Sequence, residues 1–77
     1  MGTTPEPIAA AAEFGRRVRA RRQTLGLTIE AFATAAGLHW TYVGSVERGE
    51  RNVSLKNICA LAAALGIDPA ELVTGLR

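Results

Sequence analysis

The stretch from Gly26 to Val46, GLTIEAFATAAGLHWTYVGSV, decides how this chain folds. If Ile29 is the first residue of a two-helix unit, apolar residues fall wherever a side chain must face the interior: Phe32, Ala36, Leu38, Val43 and Val46. Ala33 is small at the point where the two helices would cross closely. Gly37 lies at the turn, where the backbone must be left-handed and glycine alone adopts that conformation without strain.

This spacing predicts a helix-turn-helix unit, whose second helix, here Trp40 to Arg48, enters the major groove of DNA. Val43 and Val46 would point inward, so the opposite face would point outward: His39, Trp40, Thr41, Gly44, Ser45 and Arg48. Base edges are read best by arginine, asparagine and glutamine, and this face is poor in such side chains. We therefore expect Thr41 to make the main base contact.

A recurring signal places the other helices. An aliphatic residue precedes a capping residue, and a second apolar residue follows four positions after the cap, which is the hydrophobic staple. The caps are Thr28, His39, Ser54 and Asp68. Helices should begin near residues 29, 40, 55 and 69, and another should cover roughly residues 8–25, with Phe14, Val18 and Leu25 on one face. No segment alternates with period two, so the sequence predicts a compact all-α domain of five helices.

Length and composition limit the possibilities further. A chain of 77 residues has room for one core, and we expect a mobile N-terminal tail over residues 1–7 followed by one domain over residues 8–77. The net charge is +2, and five of the nine basic residues lie between Arg16 and Arg22. This clustering of basic residues favours a nucleic-acid-binding function only weakly. No apolar run approaches a membrane span, so we expect a cytoplasmic, nucleoid-associated protein with no membrane partner.

The sequence offers little for catalysis or metal binding. The acidic residues are scattered, there is one histidine, and no glycine-rich phosphate loop is present. A single cysteine excludes the spacings of structural zinc sites, and Cys59 falls in an apolar helical stretch, where a small core residue is expected. We predict no enzyme activity, no cofactor and no metal.

The chain resembles the Xre/Cro-type helix-turn-helix domain of phage repressors and small bacterial regulators. The likeness covers Phe14 to Leu72 and is strongest at Gly26-Leu27-Thr28, Ala36-Gly37-Leu38 and Leu65-Gly66-Ile67. Within that family, Thr41-Tyr42-Val43 and the run from Glu47 to Asn52 are similar to the controller proteins of restriction–modification systems.

Two residues depart from the family pattern. Ile29 stands where the family usually has a glutamine that holds a phosphate, and Ile29 cannot donate a hydrogen bond. Trp40 stands where the controller-like subset has a base-reading arginine. Two interpretations of Trp40 remain open: its indole contacts DNA, or it lies back across Ile29 and covers apolar surface.

The resemblance also implies roles for particular residues. Arg22 and Glu47 would form a partly buried ion pair between the first and third helices, and the last helix, with Leu72, Val73 and Leu76, would form a homodimer interface. Arg51 and Asn52 would contact phosphates or base edges. The residues themselves predict that Arg48 anchors a phosphate and that Thr28 caps the second helix, whose free backbone N–H groups can also bind a phosphate. The predicted DNA-binding residues are Thr28, His39, Trp40, Thr41, Tyr42, Ser45, Arg48, Arg51 and Asn52.

Together these features predict a transcription regulator that binds double-stranded DNA at a palindromic operator as a dimer. It would act as a restriction–modification controller or as another autoregulator. The alternative is a protein-interaction module, antitoxin-like or a co-regulator, that uses an Ile29–Trp40 patch to bind a partner protein.

Overall fold

The computed structural model describes residues 9–77, which form five helices and no strand. The helices are α1 (Ala9–Thr24), α2 (Ile29–Ala36), α3 (Trp40–Glu47), α4 (Leu55–Leu65) and α5 (Ala70–Val73). The predicted all-α, five-helix architecture is confirmed. The predicted tail, residues 1–7, and the proposed start of the first helix at Ile8 lie outside the described residues.

Side-chain caps explain where the central helices begin. The Thr28 hydroxyl accepts a hydrogen bond from the Ala31 amide at 3.1 Å, and Nδ1 of His39 accepts one from the Thr41 amide at 3.1 Å. These bonds satisfy amides that have no partner within the helix, which is why α2 and α3 start at the predicted residues. The last helix begins at Ala70, one residue later than predicted, and its amide donates to the Asp68 carboxylate at 2.8 Å.

The turn between α2 and α3 has the conformation that its glycine predicts. Gly37 has a φ of 72°, in the left-handed region. Its amide donates to the Thr34 carbonyl at 3.1 Å, and the Leu38 amide donates to the Ala33 carbonyl at 3.0 Å. This pair of bonds ends α2 and turns the chain directly into α3.

The core fills the space where α1, α2, α3 and α4 meet, and α5 closes it against α1. Its largest fully buried side chains are Phe32, Leu61, Leu65, Leu72, Val18, Val43 and Val46. Val43 and Val46 therefore point inward, as predicted, and this fixes which face of α3 is left to solvent. Among the described helices, none is long and apolar enough to cross a membrane.

Three expectations about buried and exposed residues were wrong. Leu25 is 43% exposed, because α1 ends at Thr24 and the chain then turns through Gly26. Cys59 is exposed, on the outer side of α4, so it is not a core residue. Leu72 is only 1% exposed, because α5 uses it to close the core, so it is not available to a dimer partner.

Candidate nucleic-acid interface

The inner side of α3 meets α1 at unusually close range. A Cβ atom at Gly15 would overlap the Val46 carbonyl oxygen and would lie 2.7 Å from the Glu47 carbonyl oxygen. A Cβ atom at Gly49 would lie 2.8 Å from the Cα atom of Ala12. The carbonyl oxygens and the Cα atom are all backbone atoms, so they cannot move aside as a flexible side chain could. Two glycines thus allow α1 to lie directly against the C-terminal end of α3.

The predicted ion pair between Arg22 and Glu47 is present beside this contact. Nε of Arg22 donates to Glu47 at 2.7 Å and Nη2 donates at 2.9 Å, so the pair is bidentate. Nη1 of Arg22 donates to the Leu27 carbonyl at 2.9 Å. The side chains are 14% and 5% exposed, and the hydrogen bonds that Arg22 donates to Glu47 raise the pKa of the Arg22 guanidinium. The pair fixes α1, α3 and the start of α2 relative to one another.

The outward end of α3 is open to solvent. Thr41 is exposed and Trp40 is 51% exposed. The Trp40 ring stacks on the His39 ring, with centroids 5.8 Å apart and planes inclined by 26°. Nδ1 of His39 also lies 2.7 Å from the Thr41 hydroxyl. The base-reading end that the sequence predicts is therefore accessible, with its two aromatic rings stacked on each other.

The predicted outward placement of Ser45 and Gly44 was wrong. Ser45 is 5% exposed, because the Arg51 side chain reaches back from the following loop and its Nε donates to the Ser45 hydroxyl at 2.9 Å. A Cβ atom at Gly44 would lie 3.2 Å from Nη1 of Arg48 and 3.6 Å from Cδ1 of Ile29. The Ile29 and Arg48 side chains thus lie over this part of α3.

The basic residues after α3 differ in how firmly they are held. Arg48 caps the end of α3 and pairs with Glu50 at 3.2 Å, with both side chains more than half exposed. Arg51 instead lies with its guanidinium carbon 5.7 Å from the centre of the Tyr42 ring. Asn57, in the first turn of α4, donates to the Tyr42 hydroxyl at 3.1 Å. Arg51 and Tyr42 therefore belong to one connected cluster, whereas Arg48 makes only a surface pair.

The arginines near the start of α1 are engaged by an acidic residue. Glu13 accepts hydrogen bonds from Arg16 and from Arg17, and these bonds lower the pKa of Glu13 to about 2. The positive charge of Arg16 and Arg17 is thereby partly offset. On the cationic loop between α3 and α4 (residues 48–54), Arg48 is likewise paired with Glu50, whereas Arg51 forms no ion pair with a described residue.

Most of the predicted DNA-binding residues are exposed to solvent. Six of them are exposed at or near α3, and Tyr42 is half-buried with its hydroxyl on Asn57; the six are His39, Trp40, Thr41, Arg48, Arg51 and Asn52. Thr28 is exposed at the start of α2. Ser45 alone is withdrawn from solvent.

Sequence reasoning missed three residues that shape this surface: Gly15, Gly49 and Asn57. Gly15 interrupts a helix where alanine would be more stable, and that was the available signal. No comparable signal marked Asn57. Within residues 9–77, no group of three His, Cys, Asp or Glu side chains is placed to hold a metal.

Comparison with known proteins places this surface in context. A helix-turn-helix family model matches residues 18–72. The control protein C.SmaI of Serratia marcescens is 47% identical over 61 residues, covering 79% of this chain and 73% of that protein. The crystal structure of the restriction-modification controller protein C.AhdI from Aeromonas hydrophila has a TM-score of 0.81 and 53% identity, covering 83% of this chain and 97% of that one. The crystal structure of the P22 c2 repressor in complex with a synthetic operator has a TM-score of 0.75 and 32% identity, covering 80% of this chain and 94% of that one.

Proposed function

This chain belongs to the helix-turn-helix family of DNA-binding transcription regulators, and we propose that it controls a restriction–modification system by binding a palindromic operator as a homodimer. The predicted resemblance to controller proteins is confirmed by the matches to C.SmaI and C.AhdI. The observation that carries the proposal is the exposed N-terminal end of α3, together with the exposed side chains of Arg48, Arg51 and Asn52 on the loop that follows the helix.

The proposed DNA contacts divide into a reading group and an anchoring group. Thr41 and Trp40 read bases or thymine methyl groups from the start of α3, where a recognition helix makes its base contacts. Arg48, Arg51, Asn52 and the Tyr42 hydroxyl bind the phosphate backbone, and Thr28 supports a phosphate at the start of α2. His39 orients Trp40 and Thr41. Ser45 is no longer a direct contact.

Selection of bound sequences from a random duplex pool tests the central claim. A two-fold dimer should enrich a palindrome whose halves are about 34 Å apart, one turn of DNA. Recovery of a single half-site, or of no sequence preference, would contradict the dimeric operator. A partner protein bound through Trp40, with no salt-sensitive shift of any duplex, would favour the alternative of an interaction module.

The phosphate contacts predict how affinity depends on salt. Each phosphate neutralised contributes a slope of about 0.9 in log affinity against log salt. Arg51→Ala should weaken binding and reduce that slope by about 0.9. Arg19→Ala, which removes the same charge from the exposed face of α1, is the matched control and should leave the slope unchanged. Equal slopes for wild type and Arg51→Ala would exclude the contact.

The dimer interface needs revision because Leu72 lies in the core. Val73 and Leu76 remain partly exposed and line a shallow apolar cavity together with Ile58. Leu55 lies three residues before Ile58, on the same side of α4, and is 76% exposed. We place the homodimer interface on this apolar surface, defined by Leu55, Val73 and Leu76.

Sedimentation of two variants tests that placement. Leu55→Ser and Leu76→Ser should each shift the protein toward monomer at high micromolar concentration. Leu55→Ser should leave the melting temperature nearly unchanged, whereas Leu76→Ser should lower it because Leu76 also packs against the core. Leu25→Ser, which changes another exposed leucine, should leave the dimer intact. A monomeric wild type would refute the interface and with it the palindromic operator.

A protein of this function would act on DNA in the cytoplasm, without a catalytic step.

A further inference from the structure

A chain of hydrogen bonds lies behind the cationic loop and connects α3, the loop and α4. We infer that Ser45 and Asn57 are positioning residues, which hold Arg51 and Tyr42 in the conformation that binds the DNA backbone. The inference rests on the proposed contacts of Arg51 and Tyr42 with phosphate. It assigns a role in DNA binding to two side chains that would not themselves touch DNA.

Ser45 is placed to hold Arg51. Its hydroxyl donates to the Tyr42 carbonyl at 2.6 Å, within α3, and accepts from Nε of Arg51 at 2.9 Å. A hydroxyl has one proton, so the bond to the carbonyl directs the oxygen lone pairs toward Arg51. Ser45 is 5% exposed, which keeps water from competing for that bond. Of the described residues, none accepts from the two terminal nitrogens of Arg51, so both stay available to a phosphate.

Asn57 positions Tyr42 in the way that Ser45 positions Arg51. Its side-chain amide donates to the Tyr42 hydroxyl oxygen at 3.1 Å. The phenolic proton is then free to donate to an external acceptor, since a hydroxyl can accept and donate at once. Asn57 is itself held at the start of α4, because its backbone N–H donates to the Ser54 hydroxyl at 3.2 Å. The Tyr42 hydroxyl is therefore aimed by a residue on a different helix.

The Ser45–Arg51 and Asn57–Tyr42 hydrogen bonds are connected by the stacking of Arg51 on Tyr42. The guanidinium carbon lies 5.7 Å from the ring centre, within the range of a cation–π interaction. A long arginine on a loop has many rotamers, and ordering such a side chain on binding weakens affinity by about 2- to 12-fold. Ser45 and the Tyr42 ring impose that order before DNA arrives, so the ordering cost is removed from binding.

Double-mutant cycles test the inference directly. Ser45→Ala should weaken operator binding by about 2- to 12-fold in the wild-type background and should cause no further loss in the Arg51→Ala background. Asn57→Ala should likewise weaken binding, with no further loss in the Tyr42→Phe background. A purely structural role would lower affinity by the same factor in both backgrounds, and that result would overturn the inference.

Controls separate positioning from stability. The Thr24 hydroxyl donates to the Ala20 carbonyl within α1, as that of Ser45 does within α3, so Thr24→Ala removes an equivalent bond away from the loop and should leave affinity unchanged. Melting temperatures identify any variant that fails to fold. If Ser45→Ala does not fold, the cycle of Asn57→Ala with Tyr42→Phe tests the inference alone. Asn57 is partly exposed on α4, so Asn57→Ala is expected to fold.

The same cycles distinguish failure of the inference from failure of the proposed contacts. If Arg51→Ala and Tyr42→Phe both leave affinity and salt dependence unchanged, the contacts themselves are wrong. If those variants weaken binding while Ser45→Ala and Asn57→Ala do not, the contacts stand and only the positioning role is overturned.

Discussion

The two ends of α3 are built in opposite ways. Its C-terminal end is fixed against α1 by Gly15, by Gly49 and by the bidentate pair of Arg22 with Glu47. Its N-terminal end projects into solvent, where Trp40 and Thr41 are exposed and both contact His39. Different residues therefore fix the position of α3 and provide its exposed recognition surface. The C-terminal end determines where the helix lies, and the N-terminal end determines which DNA bases it can contact.

The largest expected effect is at Gly15, where the close contact of α1 with α3 is made. Gly15→Ala gains about 1 kcal/mol of helix propensity, yet its Cβ would overlap a backbone carbonyl that cannot move aside. We expect a net loss of about 4 kcal/mol or more in the free energy of unfolding, measured by urea titration.

Gly44→Ala is the matched control for that change, because both glycines lie within helices. The Cβ at Gly44 would meet only the flexible ends of Arg48 and Ile29, so the variant should be as stable as wild type or slightly more so. Equal stability of the two variants would show that α1 and α3 do not meet as closely as the structure has them.

The second effect concerns the ion pair at the same end of α3. Glu47→Gln leaves the Arg22 guanidinium nearly buried beside a neutral side chain, and loss of one partner of a buried pair costs about 3 kcal/mol. Chemical denaturation should show this loss.

Glu50→Gln breaks an ion pair as well, but that pair is more than half exposed. The change should alter stability by less than about 1 kcal/mol. Similar losses in Glu47→Gln and Glu50→Gln would mean that burial does not distinguish the two pairs.

The third effect tests the open end of α3. Trp40→Ala removes a half-exposed ring that stacks on His39, so the melting temperature should change little. Affinity for the selected operator should fall about tenfold, equivalent to about 1.4 kcal/mol. A lower melting temperature with unchanged affinity would reverse this assignment and make Trp40 a covering residue.

The smallest effect is at the exposed start of α1. Hydrogen bonds from Arg16 and Arg17 lower the pKa of Glu13 from 4.5 to about 2. A carboxylate with a lowered pKa stabilises the fold above its unfolded value and loses that contribution as the pH falls toward the folded value. Thermal melts of wild type and Glu13→Gln should therefore differ slightly near neutral pH and converge at acid pH. A difference that grew on acidification would contradict the assignment.

Local signals in the sequence located most of the fold. Caps and glycines are read from neighbouring residues, which is why the starts of α2, α3 and α4 were predicted at Ile29, Trp40 and Leu55. The inward face of α3 followed from the spacing of Val43 and Val46. Both rest on interactions within a few turns of helix.

The errors come from contacts between distant segments. Ser45 lies on a flank of α3 that would be open if Arg51, six residues later, did not fold back over it. Leu72 was assigned to an interface because the sequence did not reveal that α5 closes the core. The requirement for Gly15 depends on how near the backbone of α3 approaches, which no local pattern records.

The exposed Cys59 makes the assembly measurable by spectroscopy. It is the single cysteine of the chain and lies one helical turn after Leu55 on α4, so a thiol-reactive nitroxide or fluorophore labels each protomer at one site. In a dimer the two probes define one inter-label distance, short if the Leu55 surface is shared and long if α4 faces away. That distance can be followed while operator DNA is added, without any engineered cysteine.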